Sequence, residues 1–252
     1  MIEYSMITEK DWESVVSGDS MEFKTTDGLM VKILNDENVR KALSLDNSEK
    51  PLVVFVSGTS ESGKSTFGKL AVETGIAHRL KIYRTLAELA EEGILPKMDK
   101  DPFTYATFLE GDPSLVEKAG QEIASRYINL MRSTDVPLAV VETIKHKWMV
   151  EHFRNNPNIR FLSIAIGADL EKRISREAEK TGKPVEEVRT EVLGKDEWKQ
   201  ALGSGDVLST ADIYILNNGS YDTYKKMAIS FLETLRNSTH SYSGDSHDYS
   251  LG

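Results

Sequence analysis

A chain of 252 residues, 39% hydrophobic and 28% charged, has the length and apolar content for one large α/β domain with a small appendage, and not the composition of a disordered or fibrous protein. Its formal charge of −9 argues against broad binding to nucleic acid or anionic membrane, although local basic clusters can still hold phosphates. There is no cysteine, which excludes disulfides, thiolate metal ligands and cysteine nucleophiles.

The opening MIEYSMITEKDWESV lacks a basic region followed by an apolar core. No apolar run approaches the about 18 residues of a membrane span, so a cytoplasmic protein is expected. Residues 1–50 are expected to form a small appendage. Within them, MEFKTTDGLMVKIL sets two β-leaning arms around Asp27-Gly28, a hairpin signal, and NDENVRKALSL predicts a short capped helix. Packing on the main domain is the simplest role for this unit; dimerisation or regulation is the alternative. The polar DNSEKP marks the junction.

From Leu52 the sequence alternates β-like and helical segments, the pattern of a parallel sheet covered by helices. Strands are predicted at 52–57, 78–83, 137–142, 159–166 and 212–218, with amphipathic helices between them. The expected fold is an α/β three-layer sandwich over residues 51–236, with a five-stranded parallel sheet, a helical lid at about 170–205 and the N-terminal hairpin appended.

The first strand enters Gly58-Thr59-Ser60-Glu61-Ser62-Gly63-Lys64-Ser65, which fits G-x-x-x-x-G-K-[ST] at every specified position and leads into a helix. Gly58 and Gly63 allow close backbone approach, and successive amides, those of Ser60 and Ser62 among them, face the β-phosphate of a nucleoside triphosphate. The helix N-terminus adds a favourable field. Lys64 is expected to bridge the β- and γ-phosphates, Ser65 to ligate Mg²⁺ through its hydroxyl, and Thr66 to lie near the α-phosphate.

Next in the chain, GIAHRLKIYRT offers His78, Arg79, Lys81 and Arg84. Alternation on a strand faces Arg79 and Lys81 the same way, and such a cluster suits an acceptor that already carries phosphate; a basic sheet edge is the alternative. Tyr83, Phe103, Tyr105 and Phe108 could stack on a base, or pack in the core. The apolar run of PLAVVETIKHKW ends in Glu142, at the strand edge where open α/β sheets bind ligands. There a carboxylate could hold Mg²⁺ through water or orient an attacking group, or simply be a solvated strand end. In the lid, Arg173 and Arg176 are three apart and share a helix face, placed to bind a triphosphate and neutralise transfer charge, with Arg189 as a further partner. An ordinary charged surface helix competes with that reading. The tail from 237 to 252 is polar, serine-rich and aperiodic, and is expected to be disordered.

No D-x-x-G or N-K-x-D motif and no LSGGQ-like signature occurs, which argues against a switch GTPase or a transporter ATPase. Over roughly residues 52–235 the layout resembles the nucleoside-monophosphate kinase and dephospho-coenzyme A kinase group of P-loop kinases. The late ADIYILNNGS is similar to the end of dephospho-coenzyme A kinases, a resemblance that implies Asn218 and Gly219 beside the adenine. PLAVVETIKHKW resembles phage-type deoxynucleotide kinases, which carry an acid followed by a basic residue here; Glu142 and Lys145 stand in those places. Related kinases also place acceptor contacts where Arg79, Lys81 and Arg84 lie. One departure is the second strand, where dephospho-coenzyme A kinases carry D-x-D and this chain has HRLKIY. Either Glu142 takes over, or Asp99 or Asp101 swings in, or the acceptor is a phosphate that needs no base. The expected function is transfer of the γ-phosphoryl of ATP, with Mg²⁺, to a small phosphorylated nucleotide-like acceptor. The alternatives are a nucleotide-binding regulatory module with slow hydrolysis and a polynucleotide or RNA kinase, the latter disfavoured by the acidic charge.

Overall fold

The computed structural model describes residues 22–47 and 49–239. Seven strands form one mixed sheet: β1 (Glu22–Lys24), β2 (Leu29–Ile33), β3 (Leu52–Gly58), β4 (His78–Leu80), β5 (Leu138–Glu142), β6 (Arg160–Gly167) and β7 (Ile213–Asn217), in the order β1-β2-β7-β6-β3-β5-β4. The last five in that order are mutually parallel, with Val54 of β3 opposite Leu162 on one side and Val140 on the other. This is the expected parallel P-loop sheet. The hairpin extends it rather than sitting on its surface: β2 runs antiparallel to β7, with Leu29 opposite Asn217 and Ile33 opposite Ile213. Alternation explains the docking, because Leu29, Val31 and Ile33 are buried while Lys32 between them is exposed, so one face of β2 joins the core.

The helices are α1 (Asp36–Leu43), α2 (Lys64–Glu73), α3 (Ile82–Glu91), α4 (Pro102–Glu110), α5 (Pro113–Thr134), α6 (Lys147–Arg154), α7 (Leu170–Thr181), α8 (Val185–Ala201), α9 (Ser204–Ser209) and α10 (Tyr221–Asn237). β3 is buried on both faces. Its Leu52, Val54 and Val56 join a core with Val39, Phe67 and Phe231 of α1, α2 and α10. Val53 and Phe55 join the opposite core with Leu86, Ile123 and Phe153 of α3, α5 and α6. Each fully buried side chain of this size contributes about 1.5–3 kcal/mol, so the sheet is a stiff platform for the loop that leaves β3. Helices α7 and α8 form a hairpin with a small core of their own, Ile174, Val188 and Val192.

The strand expected at 78–83 stops at Leu80. Ile82, Leu86 and Leu89 recur at helical spacing and are fully buried, so the 3.6-residue period takes over from the β pattern. At the start of β7, the buried Asp212 accepts from Arg154, Asn38 and the amide of Ser163. Arg160, at the start of β6, donates to the carbonyls of Ala42, Lys50 and Ser238, tying together the C-terminal ends of α1 and α10. Packing therefore runs past the expected tail boundary at 237, since Ser238 and Thr239 are buried. Residues 1–21 and 240–252 lie outside the described residues. Among the described helices none is long and apolar enough to cross a membrane.

Candidate nucleotide site

Tight packing shapes the loop between β3 and α2. Gly58 has φ 141°, and a Cβ there would fall 1.9 Å from the carbonyl oxygen of Ile166. Gly63 has φ 107°, and its Cβ would meet the Asn217 side chain at 2.6 Å. Neither position tolerates a side chain, so both glycines are required by the loop's geometry and not only by its sequence pattern. Glu61 also adopts a left-handed conformation, at φ 54°. The loop opens into a cleft of about 930 Å³ lined by Ser60, Ser62, Gly63, Lys64, Ser65 and Thr66, together with parts of α7, α8 and the segment after β7. Seven lysines and arginines line it against four acids. In a chain of net charge −9 this is a local concentration of positive field, suited to a polyanion.

The Lys64 ammonium is folded back onto the loop, donating to the carbonyl of Thr59, with Ser62 Oγ 3.4 Å away. Burial, with Lys199 nearby, pulls its pKa down to about 7. An arriving phosphate would reverse both effects.

The lid reaches the loop directly. Arg173 Nη1 donates to the carbonyl of Ser60 at 3.1 Å and to Asp196 Oδ2 at 2.5 Å. Asp196 Oδ1 in turn accepts from the Ser60 amide at 2.8 Å, and Lys199 Nζ donates to Ser60 Oγ at 2.6 Å. Lys195 pairs with Glu61 at 3.1 Å. Arg176 turns the other way, donating to the carbonyls of Asn217 (2.8 Å) and Gly219 (2.6 Å). The two arginines thus share a helix face as the spacing predicts but serve different walls of the cleft. Arg189 is on the lid surface, paired with Glu171.

Behind the loop, Asn217 Nδ2 donates to the carbonyl of Ser62 at 2.9 Å, and Tyr224 donates its hydroxyl to that of Gly63 at 3.0 Å. Asn218 Oδ1 accepts from the amide of Asp169 at 2.8 Å, fixing the turn against the start of α7. Asn218 and Gly219 both line the cleft. The hairpin turn also reaches this wall: Asp27 accepts from the Ser220 amide (2.8 Å) and the Thr223 hydroxyl (2.7 Å), capping α10. Burial opposes ionisation of Asp27, but the Ser220 amide and the Thr25 and Thr223 hydroxyls outweigh it and hold the carboxyl well below its usual range.

On the other side the expected basic cluster is not assembled. Arg79 is committed to Glu142, Nε to Oε1 and Nη2 to Oε2, both at 2.8 Å. Glu142 is buried under α2 and is not among the residues lining the cleft, so its carboxylate serves this ion pair and not a metal or an acceptor in this arrangement. Lys81 is exposed at the start of α3, and Arg84 is an exposed partner of Glu88, because the chain is helical where a strand was expected. Asp101 caps α4 through the amides of Phe103 and Thr104, which occupies it as a candidate base. Asp99 is exposed.

Lys145 is buried, its ammonium 3.4 Å from the ring centroid of Phe103 and 3.6 Å from that of Trp198 on α8. Burial, with Lys199 next in effect, lowers its pKa to about 7. Tyr83, expected near a base, instead accepts from the amide of Lys145 and meets His146 Nδ1 at 2.8 Å. Burial and the neighbouring Lys145 push His146 down to about 4, so it is neutral at pH 7. Tyr105 is core, and Phe108 is half exposed.

Sequence reasoning missed Asp27, Asp196, Lys199, Asn217 and Tyr224. Asp27 was visible only as a turn residue, and the lid carboxylate and lysine were hidden among many charges of α8. Among the described residues no cluster of three or more His, Asp or Glu side chains forms a protein-built metal site. The hydroxyl of Ser65 at the cleft fits a metal that arrives already bound to phosphate oxygens.

No protein-family model matches the chain. It is similar to the UPF0200 protein of Methanosarcina mazei, 29% identical over 176 residues, covering 69% of this chain and 90% of that one. Among solved structures it is similar to a gluconokinase from Sinorhizobium meliloti 1021, 18% identical with a TM-score of 0.41, covering 77% of this chain and 98% of the other. It is similar also to the dephospho-CoA kinase of Campylobacter jejuni, 17% identical with a TM-score of 0.39, covering 73% and 97%.

Proposed function

We propose that the protein is an ATP- and Mg²⁺-dependent phosphotransferase that moves the γ-phosphoryl group to a small, phosphorylated, nucleotide-like acceptor. The observation that carries this reading is the loop from Gly58 to Ser65 between a buried strand and a helix, with positive φ at Gly58 and Gly63 and with Lys64 and the lid arginine Arg173 both converging on its Thr59-Ser60 limb. A helical lid bearing cations suits transfer, because it can exclude water that would otherwise compete with the acceptor. Loop amides and the start of α2 would hold the phosphates, with Lys64 between the β- and γ-groups. Asn218 and Gly219 would border the base, and Arg176 would hold that turn in place through its carbonyls.

Magnesium, held by Ser65 and the nucleotide's own oxygens, would neutralise charge between the terminal phosphates. Lys145, three residues past β5, is buried beneath Trp198 of α8 and outside the cleft lining in this arrangement; it is the cation we assign to the acceptor side, to be uncovered when α8 moves, whereas Arg79 is held by Glu142 and is not assigned to the ligand. The transferred group would leave the β–γ bridging oxygen and bond to an acceptor oxygen. A phosphate acceptor is already ionised and needs no catalytic base, which fits a site where Glu142 is held by Arg79 and Asp101 by the start of α4.

The test is acceptor-stimulated release of ADP. Turnover that rises with one member of a panel of phosphorylated metabolites supports transfer; a slow release that no acceptor changes supports instead a nucleotide-binding module that hydrolyses.

A further inference from the structure

The carboxylate of Asp196 lies where the loop would be expected to meet phosphate. Its Oδ1 accepts from the backbone amide of Ser60 at 2.8 Å, a P-loop amide, and its Oδ2 accepts from Arg173 at 2.5 Å. The same guanidinium donates to the Ser60 carbonyl, and Lys199, one turn along α8, donates to the Ser60 hydroxyl. An oxyanion held by a loop amide and a lid arginine makes the contacts a phosphoryl group would make there.

The position along the loop can be read from Lys64. That lysine spans the β- and γ-phosphates in P-loop proteins, and here its ammonium rests on the Thr59 carbonyl. The strand-side limb, Thr59-Ser60, is therefore the terminal-phosphate end, and the helix-side residues Gly63 to Ser65 are the inner end.

We propose that Asp196 is a specificity-determining residue that occupies the terminal-phosphate subsite of the loop and makes it distinguish nucleoside triphosphates from diphosphates. A diphosphate fills the inner cradle and leaves Asp196 in place. The third phosphate of a triphosphate meets a like charge, displaces it, and takes over both the Ser60 amide and Arg173. Trp198 lies two residues further along α8, against Phe103 and Lys145, where its ring can report movement of that helix. This rests on the nucleotide-binding reading of the cleft and adds to it which phosphate the lid senses.

The experiment is equilibrium binding of ADP and of the β,γ-imido analogue of ATP, each with Mg²⁺, to the full chain and to Asp196→Asn. The substitution keeps the side-chain shape and removes the charge. The expected result is an about tenfold gain for the triphosphate analogue, the weight of one charged hydrogen bond, with ADP changed by less than about threefold. In the unsubstituted protein, the fluorescence of Trp198, isolated by subtracting the Trp198→Phe variant, should change with the triphosphate analogue and not with ADP. An unchanged ratio, an equal gain for both ligands, or a loss for the triphosphate overturns the role of Asp196 while leaving nucleotide binding intact. Failure of the unsubstituted protein to bind either ligand overturns the reading of the cleft and this inference with it.

Discussion

Arg79 and Glu142 form a two-pronged ion pair across β4 and β5, with both N···O distances at 2.8 Å. The carboxylate is 2% exposed while the guanidinium is 23% exposed, so the two partners are not equivalent. Removing the arginine strands a charge in the interior, whereas neutralising the glutamate leaves a cation that still reaches water. Arg79→Met should therefore destabilise by about 3–5 kcal/mol, and Glu142→Gln by clearly less. Urea unfolding of the two variants checks the order. An Arg79→Met protein of normal stability with weakened acceptor binding would restore the ligand-binding role expected from the sequence.

Lys64 touches the loop carbonyl and Ser62, and among the described residues no carboxylate forms a salt bridge with it. Lys64→Ala should abolish nucleotide-dependent turnover while shifting stability by no more than about 1 kcal/mol. Turnover and unfolding midpoint, measured on the same preparation, separate these effects.

Binding of a triphosphate should take up a proton at Lys64. Its pKa is about 7 in the free protein, lowered by burial and by Lys199. A bound phosphate favours the charged form and raises it. Affinity is thus at its full value below pH 7 as far as this group is concerned, and falls as pH rises through 7 until the pKa of the complex is passed. Calorimetry in two buffers of different ionisation enthalpy should show net proton uptake at pH 8, lost in Lys64→Ala.

Lys145 should leave a signature in stability. Its folded pKa is about 7, lowered by burial and then by Lys199, against about 10.4 in an unfolded chain. Between those values the unfolded state binds more protons, so this group makes stability rise with pH, by at most about 1.4 kcal/mol per unit. Lys145→Met should show a shallower rise between pH 7.5 and 9.5 than the unsubstituted protein. Equal slopes in urea titrations would contradict the burial of an ammonium between Phe103 and Trp198.

The loop was legible because its constraint is local: two glycines, a lysine and a hydroxyl at fixed spacing between a strand and a helix. The parallel sheet was legible from buried runs such as LVVFVS. The lid was legible as a unit, since Ile174, Val188 and Val192 give it a face to bury. What failed were assignments that depended on where a strand ends. Reading HRLKIY as one strand put Arg79 and Lys81 side by side, but Ile82 and Leu86 are pulled into a helix by their burial, which turns Lys81 and Arg84 outward. Glu142 sits at the strand end as expected, and a long-range partner decided its role. Asp27 and Asp196 were out of reach for the same reason, because their contacts join residues far apart in the chain.

The central claim is phosphoryl transfer to a small molecule, and the most direct measurement is mass spectrometry of products. The full chain is incubated with ATP, Mg²⁺ and pooled nucleoside monophosphates, deoxynucleotides, dephospho-coenzyme A and other phosphorylated metabolites, with Lys64→Ala alongside. A new species heavier than one pool member by a single phosphoryl group, about 80 mass units, and absent from the Lys64→Ala reaction, is the predicted result. ADP accumulating with no phosphorylated product, or no turnover across the pool, would contradict it.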